Sequence, residues 1–338
     1  MDLTILWFIL ITVLFTGFFI LEGFDYGVGM LLPFLSRRDE DRSQVLMTIA
    51  PVWDGNEVWM ITAGGALFAA FPHVYATMFS TFYLALFLML IALILRGAAF
   101  ELRGRSQHAC WRRAWEAAIC FGSAVPAFLW GVAVIDLLKG LPINQDMTYA
   151  GSFFDLLSIY SIVGGITFLA VFVFHGATFL SIRLQNTGLI LRARSLARIW
   201  GIIAAAAFVL CLLLTVFSTD ILTRPAAVGL LVLAALLFIG AYIRLCGRHY
   251  VSSFVLGALT IACTTVGFFA ALFPRLMVSS LNPAYSLTIT NAASTPYTLS
   301  IMTVAALVLV PIVLIYQGWT YYVFRHRITP DDVQEHSY

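Results

Sequence analysis

Residues 3–32, LTILWFILITVLFTGFFILEGFDYGVGMLL, contain two charged side chains, Glu22 and Asp25, both in the second half. About 20 apolar residues cross a bilayer as a helix, so the stretch reads as a membrane span that carries acid into lipid. It has neither a basic leader nor a small-residue cleavage site, which argues against a removable signal peptide.

Comparable runs recur near 46–71, 74–103, 111–138, 153–184, 196–217, 225–246, 251–273 and 297–324. The expected fold is therefore an all-α, polytopic integral membrane protein with nine transmembrane helices. Composition agrees: 61% of the 338 residues are hydrophobic, 11% are charged and mean hydropathy is +0.95. An ordinary soluble domain has about 45–50% and about 25%. A water-soluble enzyme or a nucleic-acid-binding domain is excluded on those numbers. The expected organisation is a first four-helix bundle over 1–138, a second over 153–273, a ninth helix over 297–324 and a tail over 325–338. A short echo links the bundles, Ala69-Ala70-Phe71-Pro72 against Ala270-Ala271-Leu272-Phe273-Pro274.

Basic residues set the orientation, since cytoplasmic loops retain Lys and Arg. Of the 19, fifteen fall in one set of alternating connections, from Arg37, Arg38 and Arg42 through to Arg325 and Arg327. The other set holds Lys139, Arg224 and Arg275, and Arg96 lies within a span. The N-terminus is thus expected outside and the C-terminus in the cytoplasm. The five cysteines lie in apolar runs or near arginine-rich loops, with no spacing that suggests a disulfide framework or a metal cluster.

Charge inside a span is costly and marks function or an internal pair. Spans one to three carry Glu22 and Asp25, Asp54 and Glu57, and Arg96 and Glu101. At about 1.5 Å per residue, Asp25, Asp54 and Arg96 lie at one depth, roughly 10–14 Å from the cytoplasmic end. Glu22 and Asp25, like Asp54 and Glu57, are three apart and share a helix face. One interpretation is a hydrated proton path through Asp54, Glu57, Glu22 and Asp25, with Arg96 and Glu101 as charge partners that tune it. The other is a static ion-pair network, with an Arg96–Asp25 pair holding helices together. Gly23 and Gly27 form a small-xxx-small step that lets another backbone approach closely, the adjacent Gly64 and Gly65 are expected to allow the same, and Trp53 is a further packing residue. Of six histidines, His175 alone is intramembrane, and no second ligand stands at a matching depth for a haem. His73, His108, His249, His326 and His336 lie in connections, at span ends or in the tail.

Three segments, Glu22-Gly23-Phe24-Asp25-Tyr26-Gly27-Val28-Gly29, Pro51-Val52-Trp53-Asp54-Gly55-Asn56-Glu57-Val58-Trp59 and Arg96-Gly97-Ala98-Ala99-Phe100-Glu101-Leu102-Arg103, resemble subunit II of cytochrome bd-type quinol oxidases. The similarity runs on through Leu272-Phe273-Pro274-Arg275 and the last span. The resemblance implies a subunit of a bacterial plasma-membrane terminal oxidase that oxidises quinol and reduces oxygen to water, adding to the proton-motive force without pumping. It also implies that haem b and haem d belong to the partner, subunit I, and that this chain ligates no cofactor or metal. Subunit I would pack along a hydrophobic seam, and a small accessory membrane subunit is a further partner the resemblance allows. Asp54 matches the acid assigned to the proton path. Some relatives have Gln where this chain has Glu57. Buried charge alone would also suit a proton-coupled secondary transporter, although charges confined to spans one to three do not mark two halves alike.

Overall fold

The computed structural model describes residues 2–36 and 38–335, so Arg37 and His336 lie outside the described residues. Helix α1 (Leu3–Leu35) starts at Asp2, whose side chain accepts a hydrogen bond from Thr4 N at 2.9 Å. Every residue from Glu22 to Leu32 is buried. A helix buried all round in its second half is a core helix, not a peripheral anchor. Around it lie α2 (Asp39–Met47), α3 (Trp53–Ala70), α4 (Pro72–Thr81), α5 (Tyr83–Leu102), α6 (Ala109–Lys139), α7 (Ile159–Arg183), α8 (Thr187–Ser218), α9 (Pro225–Cys246) and α10 (Tyr250–Leu272). The chain closes with α11 (Pro296–Val323) and the short α12 (Pro330–Glu335).

Eight of these helices are long and apolar enough to cross a membrane: α1 and α5 to α11. The expected second span divides into the end of α2, a turn over 48–52 and the 18-residue α3. Pro51 lacks a backbone N–H and breaks the run, and Asp54, Asn56 and Glu57 in the opening turns of α3 dilute its apolarity. The third expected span is likewise two helices, α4 and α5, meeting at Phe82. The fifth starts at Ile159 rather than 153, because Ser152 and Asp155 form a capping box on a separate 3-10 turn. The sixth begins nine residues early, at Thr187. Arg192, Arg194 and Arg198 thus project from helix α8 and not from a loop.

Close crossing of α1 and α7 fixes the centre of the fold. A Cβ on Gly27 would stand 1.9 Å from the Phe172 carbonyl oxygen and 2.9 Å from Gly176 Cα, and a Cβ on Gly23 would stand 2.8 Å from the Phe172 ring. Backbones approach this closely only where both helices lack side chains. Gly64 and Gly65, by contrast, face open space with nothing within 4 Å. On one flank of α1, Trp130 of α6 packs edge-on against Phe15, Phe18 and Phe19. The far end of the molecule is closed by loops: β1 (Arg275–Met277) pairs antiparallel with β2 (Leu287–Thr288), and Arg275 donates to Asp220 at 2.9 Å. Desolvation opposes ionisation of Asp220, but the hydrogen bond and charge of Arg275 outweigh it and hold the carboxyl below its usual range.

The α1–α7 contact makes Gly27→Ala a sensitive probe. Overpacking of a tight core costs about 1–3 kcal/mol, so the variant is expected to lower the thermal midpoint and yield of the purified protein. Gly229→Ala on α9, with nothing within 4 Å, is expected to leave both unchanged. Equal behaviour of the two in a thermal-unfolding assay would show that the crossing is not tight.

Candidate functional site

Three helices converge on one guanidinium. Arg96 of α5 is fully buried. Its Nη1 donates to Glu22 Oε1 of α1 at 2.7 Å and to Glu57 Oε1 of α3. Aromatic rings surround the rest of the group, with Tyr26, Phe100 and Trp53 centroids 5.0, 5.5 and 5.7 Å from Cζ. Rings at such distances add cation–π attraction where water is excluded. Trp53 stacks on Phe100 at 4.7 Å, which ties the first turn of α3 to α5.

Asp25, one turn beyond Glu22, belongs to a second arm of the same cluster. Its Oδ2 accepts from Asn56 Nδ2 at 2.6 Å, and Asn56 Oδ1 accepts from Tyr321 OH at 2.8 Å and Gln317 Nε2 at 3.3 Å. Gln317 in turn accepts from Trp59 Nε1 at 2.8 Å. The arm thus connects α1, α3 and α11 through neutral amides and a phenol. Glu22 Oε2, Asp25 Oδ1, Tyr26 OH, Arg96 Nε and Arg96 Nη2 are buried with no protein hydrogen-bond partner. Buried polar atoms are normally satisfied by protein or water, so this concentration of them is chemically distinctive.

The structure brings Glu22, Asp25, Glu57 and Arg96 together. The expected Arg96–Asp25 pair is replaced by Arg96 with Glu22 and Glu57, while Asp25 turns to Asn56. Asp54 is exposed on the outside of α3, and Glu101 is exposed near the end of α5; neither makes a hydrogen bond to the cluster. Residues 54 and 57 are about 60° apart around a helix. That rotation separates a side chain in the seam from one on the surface.

A second charged cluster lies below the first. Arg103, seven residues after Arg96 and the C-cap of α5, is buried and donates to Asp39 at 2.7 Å, Glu116 at 2.9 Å and Ser43 at 3.1 Å. Arg42 also pairs with Glu116, and Arg112 with Asp39. At the other end of α6, Asp136 is buried and accepts from Ser161. Glu116 and Asp136 sit inside the fourth apolar run, so the cost of burying charge marks them as it marks Glu22. Asn56, Tyr26, Gln317 and Tyr321 carry no such signal, because neutral polar residues are tolerated in spans.

His175 is packed among aromatic rings in the core. Its ring lies flat on Phe254 at 4.5 Å, with Phe24 at 6.1 Å, and a Cβ on Gly257 of α10 would stand 3.2 Å from Nδ1. A ring so packed fits a core histidine and leaves no space for a macrocycle on that side. His73, His108, His249 and His326 are exposed, and among the described residues no cluster of three or more His, Cys, Asp or Glu could hold a metal ion.

Removing one partner of a buried ion pair costs about 3–5 kcal/mol because a charge is left uncompensated. Arg96→Leu strands Glu22 and Glu57, and is expected to abolish recovery of folded protein from membranes as measured by size-exclusion chromatography. Normal recovery of Arg96→Leu would mean that the carboxylates are already neutral without it.

Comparison with known proteins places this geometry in context. The model of the cytochrome bd terminal oxidase subunit II family matches residues 3–324. Cytochrome bd ubiquinol oxidase subunit 2 of Bacillus subtilis is 42% identical over 331 residues, covering 96% of each chain. Cytochrome bd-I ubiquinol oxidase subunit 2 of Escherichia coli K12 is 36% identical, covering 99% of this chain and 98% of its own. The bd oxidase structure from Geobacillus thermodenitrificans superposes with a TM-score of 0.79 at 15% identity, over 96% of this chain and 99% of that one, a likeness of fold. The chain is thus a multi-pass membrane protein of the cytochrome bd terminal oxidase subunit II family, one subunit of an oxidoreductase complex that also contains a subunit I.

Proposed function

We propose that this chain serves a quinol-oxidising, oxygen-reducing complex of the bacterial plasma membrane by delivering cytoplasmic protons toward the oxygen-reducing haem, and that the haems b and d are held by subunit I. The observation that carries the reading is the charge balance of the buried cluster. Glu22, Asp25 and Glu57 are three acids, and Arg96 is the one guanidinium hydrogen-bonded to them. Uncompensated charge is expensive to bury, so such a cluster holds protons and can pass them on. A purely structural staple would balance its charges.

Glu57 is the entry point in this reading. Its side chain is 18% exposed while it contacts the fully buried Arg96, so it bridges the surface and the interior. Asp54, exposed one turn before it on α3, collects protons from the cytoplasmic side, and Glu22 and Asp25 take them inward. Water bound at the unpartnered atoms of Tyr26, Arg96 and the carboxylates would complete the route. In this arrangement α3 is the ninth crossing, the N-terminus is outside and the C-terminus is cytoplasmic. Two groups of four helices with α11 apart fit the same frame. Subunit I covers the open face of α3, α5 and α11, and the lipid-facing remainder of the chain needs no soluble partner.

Two variants test the route in the assembled complex. Asp54→Asn is expected to lower quinol-driven oxygen consumption at least about tenfold, as loss of a proton-transfer group does, and Glu57→Gln, the residue some relatives carry, by a smaller factor, while reduced-minus-oxidised haem spectra and complex yield stay normal. A full rate in both variants with intact haem would refute the proton route. A parallel loss of haem, yield and rate would assign the cluster to assembly.

A further inference from the structure

We propose that a groove between the inner end of α1 and the start of α8 binds the phosphodiester headgroup of a membrane phospholipid. The groove has a volume of about 690 Å³ and is lined by Arg38 and Arg192 among others. At the same end of the molecule Arg42, Arg103 and Arg112 are all paired with Asp39 or Glu116. Arg38 is not: its side chain makes no hydrogen bond to a described residue. Arg192 is held by one bond, from Nη1 to the Leu35 carbonyl at 3.0 Å, and its other N–H groups have no acceptor among the described residues. Two arginines that border one cavity with donors to spare are a receptor for an oxyanion, since guanidinium matches phosphate geometry.

The remaining wall decides which phosphate fits. Asp41 also lines the groove, anchored by Ser36 Oγ at 2.6 Å and by Asn186 Nδ2 at 3.5 Å. Among the described lining residues, two cations against one carboxylate leave a single positive charge. That balance suits a monoanionic diester, whereas a doubly charged phosphate would be repelled by Asp41. The carboxylate is also an acceptor for a hydroxyl or ammonium on the far side of the phosphate. Phe34 lines the same groove and is 69% exposed. An aromatic ring at the rim gives an acyl-bearing ligand an apolar contact that an inorganic anion does not need. A phospholipid satisfies all three walls, and its position follows from reading α1 and α8 as membrane spans with this end at the lipid–water boundary.

The test uses the assembled, detergent-purified and delipidated complex, titrated with dioleoyl phosphatidylglycerol and, separately, with inorganic phosphate, with binding followed by native mass spectrometry. The unmodified complex is expected to bind the lipid saturably and inorganic phosphate not at all. The Arg38→Gln/Arg192→Gln double variant is expected to bind the lipid about tenfold more weakly or worse, as loss of two headgroup contacts implies, with haem spectra unchanged. Arg38→Gln alone removes an exposed, unbonded side chain, so it keeps the fold and is expected to weaken binding by a smaller factor. Arg198→Gln, further along α8 and outside the groove, is expected to bind as the unmodified complex does. Undiminished lipid binding in the double and single groove variants would overturn the site. Inorganic phosphate binding as tightly as the lipid would overturn the lipid assignment, and equal weakening in Arg198→Gln would reduce the effect to general surface charge.

Discussion

The structure depends on Arg96. A guanidinium has no neutral form to retreat to in a protein, so an arginine at zero exposure in the membrane must be met by acids wherever it sits. Glu22 comes from α1 and Glu57 from α3, and Tyr26, Trp53 and Phe100 close over the remaining surface. The three helices are therefore bound to one point from three directions. Lipid offers no hydrophobic drive for helices to associate, and in its place this fold uses a charge that must be satisfied and, at Gly27 and Gly176, a backbone contact that tolerates no side chain. The first sets the angular position of α1, α3 and α5, and the second sets the depth at which α7 crosses α1.

Those two devices divide the molecule into a sealed side and an open side. Toward α6, α7 and α10, α1 is covered by aromatic and small residues in tight contact. Toward α3, α5 and α11 the packing thins: Leu299 is the buried residue of α11, while Leu307, Ile315 and Trp319 are among its exposed ones. The acid cluster lies against the thin side. Asn56, Gln317 and Tyr321 reach from it toward the outer face, and Asp54 is already on that face. On the sealed side the cluster would have no outlet; here the partly exposed Glu57 side chain joins it to the open face.

Much of this was legible in the residues. Burial of ionisable groups is rare enough that Glu22, Asp25, Glu57 and Arg96 declare themselves, whereas the rise per residue that puts Asp25 and Arg96 at a common depth puts Asp54 there too, although its side chain is exposed and outside the cluster. Less visible was who pairs with whom. Side chains three apart differ by about 60° around a helix, so Glu22 and Asp25 share a face yet reach different partners, and Asp54 and Glu57 part company altogether. The break at Phe82 was hidden because it interrupts an apolar run without changing its composition, whereas the turn over 48–52 carried a visible breaker in Pro51. Arg103 and Glu116 show a further limit. Counted only as loop charges, basic residues yield an expected orientation and conceal that Arg103 is buried and paired.

The spacing of Arg96 and Arg103 carries one more step. Seven residues are close to two turns of helix, so both arginines lie on the same side of α5 about 10 Å apart along the axis. The upper one is met by α1 and α3 and the lower by α2 and α6, and α2 leads through the 48–52 turn directly into α3. Displacement of α2 from Arg103 would therefore shift the start of α3, and with it Trp53, Asn56 and Glu57. A cluster at the lower level in which Arg42, Arg103 and Arg112 each have a carboxylate partner is suited to hold that frame still. The upper cluster, with acid in excess, is suited to change its protonation without the helices having to move.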